Sequence, residues 1–192
     1  MFSSLVSRVA SRFLALRTAS TVRLAISQRA FLYFMSKPGQ LGVISAYLDG
    51  KKSINKQRHG QLIVDLQKLG YRKVSDFKGS WEGKKEHSVV VENIRHEDLF
   101  ELGRKYGQES VIFKAKTGVV GMYYFRTMDA QVAVDPKSGG PAFETALGRA
   151  GISKERNWSF SFDFLEGRIP WDGHSVITHD DIAKHLGLQL AR

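Results

Sequence analysis

The sequence contains no cysteine. This absence excludes disulfide bonds, thiol nucleophiles and cysteine-ligated metal centres. No stretch approaches the roughly 20 consecutive apolar residues that a membrane-spanning helix needs, so no transmembrane span is predicted. Four enzyme motifs are also missing: the GxxxxGK(S/T) phosphate loop, the GxGxxG dinucleotide fingerprint, the GxSxG nucleophile elbow and the HExxH zinc motif. The sequence therefore predicts no bound cofactor and no metal.

Acidic residues are absent from the first 48 positions. Residues 1–34 instead contain five arginines and many serines. An amphipathic segment of this composition is typical of an organellar transit peptide. We therefore expect residues 1–34 to engage the mitochondrial import machinery and to direct the chain to the matrix. The alternatives are a surface-lying membrane anchor and a nucleic-acid-binding arm. One side of the predicted helix gathers apolar residues at 4-3-4-3 spacing: Phe2, Val6, Val9, Phe13 and Leu16.

The formal net charge of +10 divides evenly along the chain. Residues 1–34 carry +5, and the remainder carries another +5 from 24 basic and 19 acidic residues. A mildly basic remainder permits an anionic partner, either a small molecule or a nucleic acid, without requiring one. Residues 35–40 are predicted to be a linker. Residues 41–192 then form a single domain, since their length suits one core better than two.

The order of predicted elements indicates an α+β fold. Apolar and alternating segments predict strands at 41–48, 71–77, 86–94, 109–115 and 119–125, with helices at 53–69 and 96–106. The order β-α-β-β-α-β plus a hairpin strand is satisfied by a split βαβ, ferredoxin-like antiparallel sheet with both helices on one face. This core spans 41–125, and 126–192 is a C-terminal αβ elaboration. Its predicted elements are strands at 131–135 and 158–165, a helix at 141–149, and a last helix that begins with a capping box at Thr178 and Asp181.

The first predicted helix has an apolar half and a polar half. Ser53 is its expected N-cap, and Leu62, Leu66 and Leu69 form an apolar stripe. Continued towards the N terminus, the same stripe passes through Asn55 with Arg58 on its flank. This end of the helix therefore either overhangs the sheet into solvent or lines a polar site, where the helix N terminus favours negative charge.

Further polar residues lie at the two joints of the following segment. A loop at 79–85 carries Trp81 and leads into a strand on which Glu86 and Ser88 share a face. Gln108 directly follows a glycine that ends the second helix. In a ferredoxin-like arrangement these side chains approach Asn55 and Arg58. The predicted ligand-binding set is therefore Asn55, Arg58, Trp81, Glu86, Ser88 and Gln108.

Two interpretations of this cluster remain open. Glu86 and Arg58 could form a purely structural salt bridge. Alternatively, the cluster binds a ligand, with Glu86 as the candidate catalytic base should the protein be an enzyme. No nucleophile–base pair is defined by spacing alone.

Several short motifs follow one another in this part of the chain: Ser45-Ala46-Tyr47, Asn55 with Arg58, Leu66 with Gly70-Tyr71, the Gly79–Trp81 loop, Glu86 with Ser88, and Leu102-Gly103 leading into Tyr106-Gly107-Gln108. In this order they resemble a bacterial and phage family, domain of unknown function 3293. The resemblance covers residues of about 43–113. It implies that 41–125 forms one unit, and it implies no particular activity.

Three functions follow as hypotheses. The first is a mitochondrial domain that binds an anionic small molecule, nucleotide or nucleic acid at the polar cluster. The second is an enzyme of hydrolase or transferase type that uses Glu86 as base. The third is a structural subunit of an organellar assembly such as the mitochondrial ribosome, with its basic surface on RNA.

Overall fold

The computed structural model describes residues 37–81, 84–134, 143–147, 158–165 and 167–187. For residues 77–81, 84–86, 134, 143–147 and 158–164 this description covers the backbone only. The described helices are α1 (Lys52–Lys68), α2 (His96–Lys105) and α3 (His179–His185). The described strands are β1 (Leu41–Ser45), β2 (Val74–Trp81), β3 (Lys84–Glu92), β4 (Ser110–Lys114), β5 (Val120–Tyr124), β6 (Asp129–Val134), β7 (Phe143–Leu147), β8 (Trp158–Phe164) and β9 (Ile169–Pro170).

The first four strands confirm the predicted α+β fold. They lie in the order β4-β1-β3-β2, and every neighbouring pair is antiparallel. Helix α1 connects β1 to β2 and helix α2 connects β3 to β4, with one strand between the two ends of each connection. This is the split βαβ arrangement. Both helices contribute to the same apolar core, through Leu62 and Leu66 of α1 and Leu99, Phe100 and Leu102 of α2.

The sheet continues beyond this unit and its pairings close into a ring. Strand β5 extends the sheet past β4 and also pairs with β6. On the other side, β2 pairs with β7, β7 with β8, and β8 with β6. Eight strands, β1 to β8, therefore form a closed antiparallel circuit, with β9 joined to β6 beside β8. The sequence predicted the open sheet but not its closure.

Both faces of the central strands are buried. One face packs on the helices and includes Ile44, Val89 and Phe113. The opposite face includes Val43 and Ile112, which are 5% and 3% exposed although neither helix covers them. Closure of the sheet explains this burial, because residues on the inner side of a closed ring of strands face one another.

Two predicted elements differ from the structure. The predicted loop at 79–85 is largely strand, since the backbones of Gly79 and Glu86 pair within a β2–β3 hairpin. The predicted helix at 141–149 is wrong, because residues 143–147 form β7 between β2 and β8. Pairing with two neighbouring strands satisfies the hydrogen-bonding groups of the β2 edge, and this outweighs a weak helical pattern.

The ends of the helices also refine the sequence analysis. Helix α1 begins at Lys52 with Lys51 as N-cap, so Ser53 is not its cap. Leu66 of the predicted stripe is fully buried, whereas Leu69 is 49% exposed because the helix ends at Lys68. The predicted capping box of the last helix is confirmed, because the Thr178 hydroxyl accepts from Asp181 N and the Asp181 carboxylate accepts from Thr178 N.

The C-terminal segment at 167–187 packs on the core beside α2. The Trp171 ring contacts the rings of Phe100 and Tyr123 at centroid distances of 4.9 and 5.2 Å. The Tyr123 hydroxyl accepts a hydrogen bond from Ile177 N at 3.1 Å. These contacts join the segment to the ferredoxin-like part through one apolar cluster. Among the described helices, α1 is the longest, and none combines the length and hydropathy that a membrane crossing requires.

Candidate functional site

A cavity of about 630 Å³ opens where β1 ends, α1 begins and β4 starts. Its volume lies within the range of about 300–1,000 Å³ that is usual for small-molecule sites. Its walls come from the sheet face opposite the helices, and its rim comes from the β1–α1 loop and the α2–β4 connection. The walls include Val43, Ser45, Ser88, Ser110, Ile112 and Met122, and the rim includes Leu48, Lys52, Asn55 and Gln108.

The floor of the cavity is apolar. Val43 pairs with Ile112 across β1 and β4, and Ile112 pairs with Met122 across β4 and β5. Paired residues in adjacent strands project from the same face, so these three side chains form one row. All three are at most 5% exposed. The row therefore closes this side of the cavity with apolar side chains that are already almost fully removed from water.

The next row towards the opening carries serine hydroxyls. Ser45 pairs with Ser88 across β1 and β3. The Ser45 hydroxyl is occupied, because it donates to His87 O at 2.8 Å and accepts from Tyr47 N at 3.0 Å. Ser88 is only 3% exposed, and it lines the cavity beside Ser45.

Helix α1 begins at the rim of this cavity. Lys52, its first residue, and Asn55 both line the opening. Among the residues that the structure describes, no side chain caps this helix, and its first turn contains no acidic residue. The free N–H groups of the first turn and the helix dipole favour a negative charge directly beside this turn. The side chains of the rim carry both signs, since Asp49 and Glu109 lie there together with Lys52.

Asn55, predicted as a ligand-binding residue, holds the β1–α1 loop. Its amide oxygen accepts from Leu48 N at 2.9 Å, and its amide nitrogen donates to Leu48 O at 3.0 Å. The residue is only 6% exposed, and its two hydrogen bonds explain how a polar side chain can continue the buried stripe of α1. Its polarity therefore has a structural role, in addition to its position in the cavity lining.

Arg58 and Gln108 hold the same loop from the other side. Arg58 Nε donates to Ala46 O at 2.7 Å, and its Nη2 donates to Tyr106 O at 2.5 Å. Gln108 Nε2 donates to Tyr47 O at 3.0 Å and to Tyr106 O at 3.1 Å. The backbone after β1 is thereby tied to the end of α2, which fixes two sides of the cavity rim relative to each other.

A buried carboxylate joins α1 to the end of α2 beneath this rim. Asp65 accepts from Lys105 Nζ at 2.8 Å and from the Tyr106 hydroxyl at 2.7 Å. The hydrogen bond from Lys105, followed by that from Tyr106, lowers the pKa of Asp65 to about 2. Burial, together with the adjacent carboxylate, raises the pKa of Tyr106. The phenol therefore stays protonated and continues to donate.

An aromatic and histidine cluster lies on the helix side of the same loop. Tyr47 stacks on His87 at a centroid distance of 5.5 Å, and His59 of α1 lies 5.4 Å from His87. His59 Nε2 is 3.0 Å from the Asp76 carboxylate, while its Nδ1 is buried without a partner. Within the described residues no set of three or more histidines or acids is placed to hold a metal.

The predicted site residues thus divide into three groups. Asn55, Ser88 and Gln108 line the cavity, and Arg58 lies behind its rim, hydrogen-bonded to backbone carbonyls. The side chains of Trp81 and Glu86 lie outside the described part of the structure. Their ligand-binding role, the Glu86–Arg58 salt bridge and the base function of Glu86 remain predictions.

Sequence reasoning missed the floor of the cavity. Val43, Ile112 and Met122 occur in ordinary apolar strand segments, so nothing in their residue types marks a site. The available signal was that β1 and β4 are apolar at nearly every position, which is typical of strands buried on both faces. Such strands require a covering layer on each side, and only one helical layer was predicted.

Residues 49–111 match the family model described as protein of unknown function, DUF3293. The match confirms the resemblance over this segment. It runs from the rim residue Asp49 through α1, the β2–β3 hairpin and α2 to Val111 in β4, and it therefore contains Asn55, Arg58, Ser88 and Gln108. No curated protein matches the chain.

Proposed function

We propose that the protein binds an anionic small molecule in the cavity at the start of α1. The observation that carries the proposal is the uncapped N terminus of a 17-residue helix on the rim of a cavity of about 630 Å³. Helix N termini without a capping side chain are ready anion sites, because their N–H groups and dipole are directed at the ligand. Lys52 adds a full positive charge at the same rim.

The rigid surroundings of the rim support this function. Asn55, Arg58 and Gln108 anchor the adjacent loop by its backbone, so little conformational entropy is lost when a ligand contacts it. The cavity is bounded by strands on one side and by these anchored loops on the other. A small molecule suits it better than a polymer, since a volume of about 630 Å³ is within the usual range for small-molecule sites.

Calorimetric titration of the full-length protein tests the proposal. The probes are AMP with adenosine and hexanoate with hexanol, so that each anion has a neutral counterpart of similar size. We expect an anion to bind more tightly than its counterpart, and Lys52→Glu to weaken that binding on the order of tenfold. Lys116→Glu makes the same charge change in the exposed turn after β4, at the opposite end of that strand, and should leave binding unchanged.

Two results would contradict anion binding. One is equal affinity for the charged and neutral members of both pairs. The other is an equal effect of Lys52→Glu and Lys116→Glu, which would indicate a general effect of net charge. Steeply salt-dependent binding of RNA with no small-molecule binding would instead favour the organellar assembly, because phosphate contacts release counterions.

We also propose that residues 1–34 deliver the chain to the mitochondrial matrix. This segment lies outside the described residues, and its support is the arginine-rich, acid-free composition. Fused to a fluorescent reporter, it should carry the reporter into mitochondria. A version with all five arginines replaced by glutamine should not, and a cytosolic wild-type fusion would refute the proposal.

A further inference from the structure

We propose that residues 37–40 form a strap that belongs to the folded domain, and that proteolytic removal of the N-terminal segment therefore has to stop before Lys37. The strap lies at the end of the ring of strands opposite the cavity, where β1 starts and where β3 and β4 end. The sequence predicts a linker for these residues. Processing in the mitochondrial matrix rests on the proposed import of residues 1–34, whereas the contacts of the strap do not.

A buried lysine on the inner side of the ring requires the strap. Phe113 belongs to the helix-side core, so Lys114, the next residue of β4, projects from the opposite face. Lys114 is 4% exposed, and burial lowers the pKa of its amine. Within the described residues, the Lys114 Nζ has one polar partner, the backbone oxygen of Lys37, to which it donates. The strap therefore supplies the acceptor that a buried ammonium group needs.

The strap is also bound at the end of β3. Asn93 N donates to Gln40 O at 2.8 Å, and the Lys37 amine lies 3.6 Å from the Glu92 carboxylate. Lys37 thus contacts β3 through its amine and β4 through its carbonyl, and these are the two strands that flank β1. Both ends of the strap are therefore attached to the sheet.

The residues of the strap also restrict its conformation. Gly39 has a φ of +79°, in the left-handed region that favours glycine. A Cβ at this position would lie 2.5 Å from Asn93 Oδ1, so alanine would force the Asn93 side chain to move. Pro38 fixes its own φ and disfavours the helical region for Lys37. These restrictions reduce the entropy that the strap loses when it packs on the domain.

The position of a proteolytic cut decides which contacts survive. Cleavage after Lys37 would remove the acceptor of Lys114 with the released fragment. Cleavage after Gln40 would also remove the acceptor of Asn93 N. Cleavage before Lys37 leaves every described contact of the strap in place. The mature chain is therefore expected to begin at or before Lys37.

Limited proteolysis of the purified full-length protein tests this limit. Proteinase K cuts accessible backbone with little sequence preference, and the persistent folded fragment should begin at or before Lys37. N-terminal sequencing of the protein recovered from its own cells should show the same limit. A persistent fragment or a mature chain that begins between Pro38 and Leu41 would overturn the proposal.

Lys114→Met removes the group that holds the Lys37 carbonyl. The domain should stay folded, because an apolar side chain suits a buried position. Loss of a hydrogen bond from a charged group should raise the population of the open strap about tenfold or more, and cleavage within the strap should accelerate by the same factor. Lys116→Met, in the exposed turn after β4, is the control and should be cut like wild type. Equal cleavage of the strap in both variants would refute the anchoring by Lys114.

Gly39→Ala displaces the strap without changing any charge and serves as the second variant. It should also accelerate cleavage within residues 37–40. Gly70→Ala is its control, since Gly70 has a φ of +91° but a Cβ there would meet nothing within 4 Å. A Gly39→Ala strap that resists proteinase K as wild type does would count against close packing of the strap on Asn93.

Failure of the strap and failure of import give different results. If a reporter fused to residues 1–34 stays in the cytosol, the import proposal fails, while the proteolytic limit is still measured on the purified protein. If the chain enters mitochondria but its folded mature form begins after Lys37, the strap proposal fails and import stands. Anion binding at the opposite end of the ring is independent of both results.

Discussion

The Tyr106 hydroxyl at the end of α2 donates a 2.7 Å hydrogen bond to the carboxylate of Asp65 in α1. Because Lys105 donates to the same oxygen, one buried carboxylate connects the two helices that cover the sheet. The backbone oxygen of the same Tyr106 accepts hydrogen bonds from Arg58 and Gln108 at the cavity rim. Helix packing and rim geometry therefore depend on the same residue.

Acid should destabilise the fold partly through Asp65. Its folded pKa of about 2 lies below the ordinary value of 3.8, so its stabilising contribution is complete at neutral pH and above the ordinary value. That contribution is lost as the pH falls from about 4 to about 2. Asp98 acts in the same direction, since its hydrogen bonds with Arg95 lower its pKa.

Asp65→Asn tests this contribution. At pH 7 the variant should be less stable by about 1–3 kcal/mol, because Lys105 and Tyr106 lose a charged acceptor. Its free energy of unfolding, measured in urea from pH 7 to pH 2.5, should fall less steeply than that of wild type. Glu101→Gln on the exposed face of α2 is the control and should follow the wild-type curve. Parallel curves for wild type and Asp65→Asn would exclude Asp65 as a source of acid sensitivity.

Asn55→Asp should destabilise the β1–α1 loop. The substitution keeps the acceptor for Leu48 N but replaces the donor to Leu48 O with a second, buried carboxylate oxygen. Repulsion between that oxygen and the carbonyl should cost about 1–3 kcal/mol in the free energy of unfolding at pH 7. Gln57→Glu, the same amide-to-carboxylate change at an exposed position of α1, should cost far less. Equal losses in the two variants would indicate a general effect of acid in this helix.

Two glycines in helices should respond oppositely to alanine. A Cβ at Gly103 would lie 2.6 Å from the Phe125 ring, so Gly103→Ala should force α2 away from the sheet and cost about 1–3 kcal/mol. A Cβ at Gly60 would meet nothing within 4 Å, so Gly60→Ala should stabilise α1 by up to about 1 kcal/mol. Thermal unfolding of both variants measures the difference. A stabilised Gly103→Ala would mean that α2 and Phe125 can separate without cost.

The sequence was sufficient for the arrangement of the first four strands. Alternating helices and strands with short connections leave few right-handed topologies, and the split βαβ sheet is among the simplest of them. Asn55 also indicated a special position, because an amide in an apolar stripe needs a local partner. The partner is the backbone of Leu48, and no sequence pattern identifies a main-chain partner.

Closure of the sheet could not be read from the sequence. It depends on β7, whose segment has a weak helical pattern and forms a strand only because β2 and β8 flank it. Ring closure brings distant residues together, such as Phe77 with Leu147. Local propensity does not record such pairings. The cavity floor was missed for the same reason, since the inner face exists only once the ring is closed.

Asn55, Arg58 and Gln108, which anchor the β1–α1 loop, form their hydrogen bonds to Ala46, Tyr47 and Leu48 with main-chain atoms. Hydrogen bonds to main-chain atoms do not depend on which side chains occupy those positions. We therefore expect Leu48, which lines the cavity, to tolerate larger, smaller or polar residues while its backbone stays in place. The residues that position the rim are thus different from Leu48, whose side chain lies in the cavity lining. Position 48 is therefore a natural site at which ligand preference can evolve or be redesigned.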